Sequence, residues 1–430
     1  EEAEASLRQA IALKPDFAEA HSNLGITLNE SGRLEEAEAS LRQAIALNTD
    51  YAEAHSNLGD TLKELGRLND AEASYKRAIA LNADYSETHS NLGVTLKELG
   101  RLEEAEASLR QAIALKPDYA EAYSNLGITL HELGRLNEAE ASYLQAIALK
   151  PDYAEAHSNL GITLQKLGRL EASVSSFEKA IELQSDYAEA HCNLGKVLYA
   201  FGDKNSALRS IERANVLDPQ SKYTSLLLNV LKARKMRENN AASKEDITTS
   251  DCITKSSSKI LLLNRLVEPE LMTYLYHTKL LDLDKERDPS FGSTRGSLYD
   301  LFEDNHPIIQ KLAVDLKSIL EKEFKSDIFI IDSFFSIFGA GGGTIRHTHL
   351  TKEDKDSTFD LGKQKYSLVY YLSIGDQECL EPGFLKFYEP SEKILPKKGM
   401  ITIFPANRQH SSVYGGNKDR VIVGANFYKL

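Results

Sequence analysis

Apolar and polar positions along this chain follow two rhythms. Through the first half they recur at helical spacing, as in Tyr123, Leu126, Gly127 and Leu130 or Ala105, Leu109, Ala112 and Ile113, which puts one apolar face on each segment. Beyond residue 259 two more such segments, 266–281 and 306–324, predict helices. After them come runs rich in β-branched and aromatic residues, "DIFIIDSFFSIFG", "YSLVYYLSI", "GFLKFYEP", "GMITIFPA", "SSVYGG" and "DRVIVGANFYKL". Broken by Gly and Pro turns, these predict a sandwich or double-sheet jelly roll behind a helical lead-in.

The helical half is one repeat. The text of residues 1–34 returns at 35, 69, 103, 137 and, more weakly, 171, a period of 34 residues six times over without insertion. Each unit predicts two helices, the first like "YAEAYSNLGITLHELG" and the second like "EEAEASLRQAIAL". Gly66, Gly100, Gly134 and Gly168 stand where a left-handed residue closes the first helix. Pro15, Pro117 and Pro151 stop the second. Small residues such as Gly25, Gly59, Ala37 and Ala71 allow neighbouring helices to approach closely. The first unit starts at its second helix, so the chain is expected to begin inside a longer array. The expected organisation is a solenoid over 1–218, a capping helix over 219–237, a polar flexible linker over 238–258 and a β-rich domain over 259–430.

The net charge of -13 disfavours binding to nucleic acid, and no basic stripe reverses it. Three cysteines, Cys192, Cys252 and Cys379, are too few and too scattered for a disulfide scaffold, and point to a reducing compartment. No apolar run reaches membrane-spanning length and the first residues resemble no targeting segment, so a cytoplasmic location is expected.

Leu24, Gly25, Ala37, Ala44 and Pro15, with counterparts 34 residues on, resemble the tetratricopeptide repeat (TPR) family, whose helix pairs stack into an all-α superhelical solenoid. The aromatic usual at the fourth position is replaced by His21, His55, His89, His157 and His191, with Tyr123 once; one per repeat, they suit packing or hydrogen bonding rather than a metal. Asn23, Asn57, Asn91, Asn125, Asn159 and Asn193 recur on the first helices, which by the resemblance line a concave groove. A carboxamide both donates and accepts, so this ladder either holds the backbone of an extended protein or peptide partner or bonds repeat to repeat. The ladder also resembles that of TPR-bearing protein O-linked N-acetylglucosamine transferases. The residues after the linker are too few for two nucleotide-sugar lobes and show no strand–helix alternation.

In the second half, His347 and His349 share one face if "TIRHTHL" is a strand. The run Gly339–Thr344 before them lacks the Gly-Lys-Ser/Thr of a phosphate loop. His410 follows the strand "GMITIF", and Arg420 stands ten residues later. This order resembles the 2-oxoglutarate/Fe(II) dioxygenases, particularly prolyl-hydroxylase-like members, in which His-x-Asp, a distal His and an Arg or Lys about ten residues on occupy a double-stranded β-helix (jelly roll) with flanking helices. The resemblance implies Fe(II) held by His347, His349 and His410, with 2-oxoglutarate as cosubstrate bound by Arg420 and Tyr371; Ser367, on the same face of that strand, is expected to join them, and Asn426, six residues after Arg420, to face the same interior. His349 stands where the family has a carboxylate, which leaves three outcomes open: an active three-histidine centre, a centre held by His347 and His410 with His349 beside it, or an inactive domain. Asp354 and Asp356 are near it in sequence but off the strand register. Phe334, Phe335, Phe384 and Phe387 are expected in the core. The implied function is a hydroxylase acting on a protein or peptide recruited by the repeats; the alternative is a non-catalytic interaction protein with a degenerate oxygenase domain.

Overall fold

The computed structural model describes residues 2–242, 260–278, 281–282, 294–296, 300–339, 342–351, 353–355 and 358–430. It divides into two compact units, Glu1–Leu217 and Asp218–Leu430. Most of the expected linker lies outside the described residues, as do Asp356 and Cys252.

In the first unit each repeat is a pair of helices, for example Ala120–Glu132 followed by Leu136–Leu149. Their crossing requires a glycine. A Cβ built on Gly59 would lie 2.5 Å from the Tyr75 ring, and one on Gly127 would lie 2.6 Å from that of Tyr143. The same position in the other units faces Leu41, Leu109, Phe177 or Ile211, so bulk on the second helix fills the space that glycine leaves on the first. The turn glycines Gly66, Gly100, Gly134 and Gly168 have φ between 72° and 77°, the left-handed conformation that closes each first helix.

Two polar ladders tie the units together. His21, His55, His89, His157 and His191 each set Nε2 3.0–3.3 Å from the backbone carbonyl six residues earlier, latching the turn that precedes the helix. Arg33, Arg67, Arg101, Arg135 and Arg169 reach back to Glu4, Glu38, Glu72, Glu106 and Glu140 of the preceding unit at 2.5–2.9 Å. The first four also pair with Glu36, Asp70, Glu104 and Glu138 three residues ahead.

The second unit is built on two antiparallel sheets. The strands are β1 (Leu261–Asn264), β2 (Leu281–Asp282), β3 (Thr294–Gly296), β4 (Ile328–Phe338), β5 (Gly343–His347), β6 (Lys365–Ile374), β7 (Leu385–Tyr388), β8 (Ser391–Ile394), β9 (Met400–Pro405), β10 (His410–Val413) and β11 (Arg420–Lys429). The large sheet runs β1-β9-β6-β11-β4-β3-β2 and the small one β5-β10-β7-β8. Strands β1, β2, β3 and β8 were not anticipated, and the helix expected over 266–281 runs only Pro269–His277 with β2 at its far end; the residues of β8, Ser391 to Ile394, are mostly exposed and carry no apolar alternation to announce it. Helices Pro269–His277 and Pro307–Phe324 bury Leu271, Leu275, Ile309, Leu312, Leu316 and Leu320 against the outer face of the large sheet. The inner faces of the sheets meet through Phe338, Tyr371, Met400, Tyr414 and Ile422 at one place and Leu385, Phe387 and Phe404 at another.

Of the four phenylalanines expected in the core, Phe335 and Phe387 are fully buried, while Phe334 and Phe384 are half-buried. The helix expected to cap the solenoid runs Lys222–Ala242 and falls in the second unit, where Arg234 donates to the Phe359 carbonyl at 2.8 Å. No helix among the described residues is long and apolar enough to cross a membrane.

Candidate metal centre and peptide face

The small sheet positions two of the three histidines by register. His410 opens β10 opposite His347 at the end of β5, with Phe387 of β7 on its other side. His349 is placed differently from the expectation. Strand β5 ends at His347, so alternation along a strand does not carry His349 to the site; its backbone N–H instead donates to the Ala406 carbonyl at 2.9 Å. Ala406 in turn donates to the Lys365 carbonyl at 3.0 Å.

One ring nitrogen from each of His347, His349 and His410 lies within 4.8 Å of the others, the single such group of potential ligands found among the described residues. His349 Nε2 and His410 Nε2 are 3.2 Å apart. Neighbouring ligands at ~2.1 Å from a shared metal stand about 3 Å from one another, so the set is close to a ligating geometry. His410 Nδ1 sits 3.0 Å from the Arg408 carbonyl, which can only accept; Nδ1 therefore carries the proton and Nε2 keeps its lone pair for the shared point. Burial pushes His410 down to about 4, aided by His347 and opposed by the Arg408 carbonyl. Burial, then the His410 and His347 rings and Lys365, hold His349 well below the usual histidine value. Both imidazoles are thus neutral at pH 7, the form that ligates. Phe404 of β9 packs on His410 with centroids 4.6 Å apart and forms an apolar wall.

Asp354 is no substitute for the carboxylate the resemblance led one to expect. Its side chain is fully buried and accepts from Lys365 Nζ at 2.8 Å, from Thr351 N at 2.7 Å and Oγ1 at 3.0 Å, and from the Tyr428 hydroxyl. This knot ties the loop two residues past His349 to the first residue of β6, Lys365, and to Tyr428 near the end of β11. Lys365 and Asp354 were not singled out for this from sequence. The available signal was Lys365 at the inward parity of a strand whose next inward residues are Ser367, Val369 and Tyr371.

Arg420 opens β11 and is buried. Its Nη1 and Nη2 donate to the Gly383 and Pro382 carbonyls at 2.5 Å, and its guanidinium lies 4.7 Å above the Tyr414 ring. A Cβ at Gly383 would collide with that guanidinium, so the glycine is part of its seat. Tyr371 is buried in the same apolar cluster as Tyr414, its phenol pushed up by burial and pulled the other way by Arg420. Ser367 donates to Asn426 Oδ1 at 2.6 Å, and Asn426 Nδ2 donates to Asp332 Oδ1 at 2.8 Å, one polar row across β6, β11 and β4.

On the solenoid the six asparagines are not equivalent. Asn91 Nδ2 donates to Asp60 Oδ1 at 2.8 Å. Asn57 Nδ2 is buried without a hydrogen-bond partner. The carboxamides of Asn23, Asn125, Asn159 and Asn193 make no hydrogen bond among the described residues, and Asn23 is exposed. A continuous repeat-to-repeat network of these side chains is absent from the described residues.

The TPR repeat family model matches residues 27–66, 59–100, 95–134, 129–168 and 166–202, and the tetratricopeptide repeat model matches 6–39. Comparison with curated proteins finds no match. Among solved structures, the APC/C hetero-tetramer Cut9-Hcn1 is 17% identical with a TM-score of 0.48, the alignment covering 54% of this chain and 46% of that one. YrrB is 24% identical with a TM-score of 0.37, covering 43% of this chain and 95% of that one. PilW, a type IV pilus biogenesis factor, is 22% identical with a TM-score of 0.46, covering 49% and 98%. The chain thus spans less than half the length of the first of these. Residues 6–202 are a tetratricopeptide-repeat array, a scaffold of the kind that binds peptides or proteins.

Proposed function

We propose that the second unit is an Fe(II)- and 2-oxoglutarate-dependent oxygenase, a hydroxylase, and that the repeats recruit its protein or peptide substrate along the asparagine face. The convergence of His347, His349 and His410 carries this reading. Strand orders β9-β6-β11-β4 and β5-β10-β7-β8 support a double-stranded β-helix around that point. Iron(II) held there by a facial set of three side chains would supply the open positions where 2-oxoglutarate and dioxygen meet.

The chain's own residues prepare the rest. Neutral imidazoles need lose no proton before ligation. Arg420, oriented by the Pro382 and Gly383 carbonyls, would give charge-assisted hydrogen bonds to the distal carboxylate of the cosubstrate. Tyr371, kept protonated, would donate to the same carboxylate. Ser367 is already bonded to Asn426, so its part in cosubstrate binding would be to fix that neighbour. Phe404 and Phe387 pack against His410 and shield that imidazole. YrrB is described as a TPR protein with an unusual peptide-binding site; a peptide on the asparagine face is the corresponding proposal for this chain.

The test supplies the whole chain with Fe(II), ascorbate and 2-oxoglutarate and follows succinate, with iron binding measured anaerobically. His410→Ala is expected to abolish iron binding, and Arg420→Ala to raise the 2-oxoglutarate requirement while leaving iron bound. Parental behaviour of both variants would refute the assignment. The second reading, an interaction protein without catalysis, is favoured by the guanidinium of Arg420 being already engaged by two carbonyls. It is the outcome if iron binds and no succinate forms.

A further inference from the structure

The first helices carry a second row beside the asparagines. Glu19, Glu53, Glu87, Glu121, Glu155 and Glu189 stand four residues before each Asn, on the same helical face. Glu30, Glu64, Glu98 and Glu132 stand seven residues after it, again on that face, with Lys166 at this place in the fifth unit. All of these side chains are exposed. Among the described residues only Glu121 of this set has a cationic partner, Lys150 at 3.3 Å. On the second helices, by contrast, Glu4, Glu38, Glu72, Glu106 and Glu140 are neutralised by the arginine ladder. The fold answers its acids on one face and leaves them unanswered on the other.

Asp60 sharpens the pattern. It occupies the position that is Ile26, Val94, Ile128 and Ile162 in other units. Tyr75 Oη and Asn91 Nδ2 both donate to its Oδ1, at 2.7 and 2.8 Å. Its Oδ2 accepts no hydrogen bond among the described residues. The adjoining lysine, Lys63, forms no ion pair with it. Tyr75 and Asn91 thus fix a half-buried carboxylate with one oxygen unused, in the middle of the acidic row.

Resting on the reading that the asparagine face holds an extended peptide, we infer that the occupant is a basic segment, with a lysine or arginine seated on Asp60. The asparagines take the peptide backbone and the glutamates take the alternate cationic side chains. The acidic stretch covers the first four asparagines and yields to Lys166 and Lys196 beyond them, which sets where on the array the basic segment lies.

The experiment measures fluorescence anisotropy of three labelled probes on the whole chain, (Lys-Ala)6, (Ser-Ala)6 and (Glu-Ala)6, at low and high salt. The expected result is tightest binding of the lysine peptide, weakening with salt as exposed charges are screened. Asp60→Ile should lower its affinity about tenfold, the effect of one charge-assisted hydrogen bond. Glu35→Gln and Glu103→Gln on the second helices should leave it unchanged. Equal binding of all three probes, or an unchanged affinity in Asp60→Ile, overturns the charge preference while backbone capture stands. Binding of none of them overturns the peptide reading itself and this inference with it.

Discussion

Replacing Lys365 by Met should be far more damaging than its place on a β-strand suggests. The side chains of Lys365 and Asp354 are 2% and 0% exposed, and their charges are 2.8 Å apart. Removal of the ammonium strands a carboxylate away from water, with Thr351 and Tyr428 as its remaining donors. Breaking one partner of a buried pair costs about 3–5 kcal/mol, whereas exchanging both for apolar residues is often nearly neutral. Burial alone would raise the Asp354 carboxyl, but the bonds from Lys365, Thr351 and Tyr428 outweigh it and hold the group below its ordinary value. A carboxyl depressed in the folded state contributes stability above pH 3.8 that is lost as pH falls through its folded value. The cost of Lys365→Met should therefore be full at pH 7 and shrink as pH falls below 3.8. The chain has no tryptophan, so the assay is hydrogen exchange followed by mass spectrometry on peptides spanning 345–372, with Asp354→Leu and the double variant alongside. The expected pattern is a loss of several kcal/mol of protection in each single variant and partial recovery in the double. A loss below about 1 kcal/mol in Lys365→Met, or full additivity of the two changes, would refute the reasoning.

Three further outcomes follow from the same structure. Gly127→Ala forces a methyl to within 2.6 Å of Tyr143 and should cost about 1–3 kcal/mol of overpacking in urea unfolding of the array, whereas Gly134→Ala, where φ is 77° and nothing lies within 4 Å, should cost about 1 kcal/mol of backbone strain. Arg101→Gln removes the ties to Glu72 and Glu104; the melting temperature should fall at low ionic strength and the difference should narrow at 1 M salt, because Arg101 and Glu104 are within reach of solvent and its ions. Asp332 is raised by burial against the opposing bonds from Asn426. Its folded form therefore holds a proton more tightly than the unfolded chain, and stability should decline as pH rises from 3.8 through the raised value. Asp332→Asn should remove that decline in denaturant midpoints measured across pH 4–7.

How much of the site was legible depended on how each residue is placed. In sequence His410 and His347 were joined by the family resemblance; in the fold β10 sets His410 opposite His347 of β5, with the register shifting between His410 and Ser412. Arg420 could be flagged by its spacing, yet its seat in the Pro382 and Gly383 carbonyls lies far from it in sequence. His349 was named for a reason that does not apply: β5 stops at His347, and a single backbone bond to Ala406 brings the ring in. Asp60 stands where other units have Ile26, Val94, Ile128 and Ile162, and only the stacking of the helices brings Tyr75 and Asn91 onto it.

By itself the sequence determined the helix pairs, their 34-residue period, the glycines at their crossings and most strands of the second half. These depend on periodicity and on steric limits that act within a few residues or one repeat. Only the tertiary structure decided which imidazoles share a point, where Lys365 and Asp354 bury their charges, and which glutamates are left without a cation. Those outcomes depend on distances between segments far apart along the chain, set by sheet order and helix stacking, which no local pattern encodes.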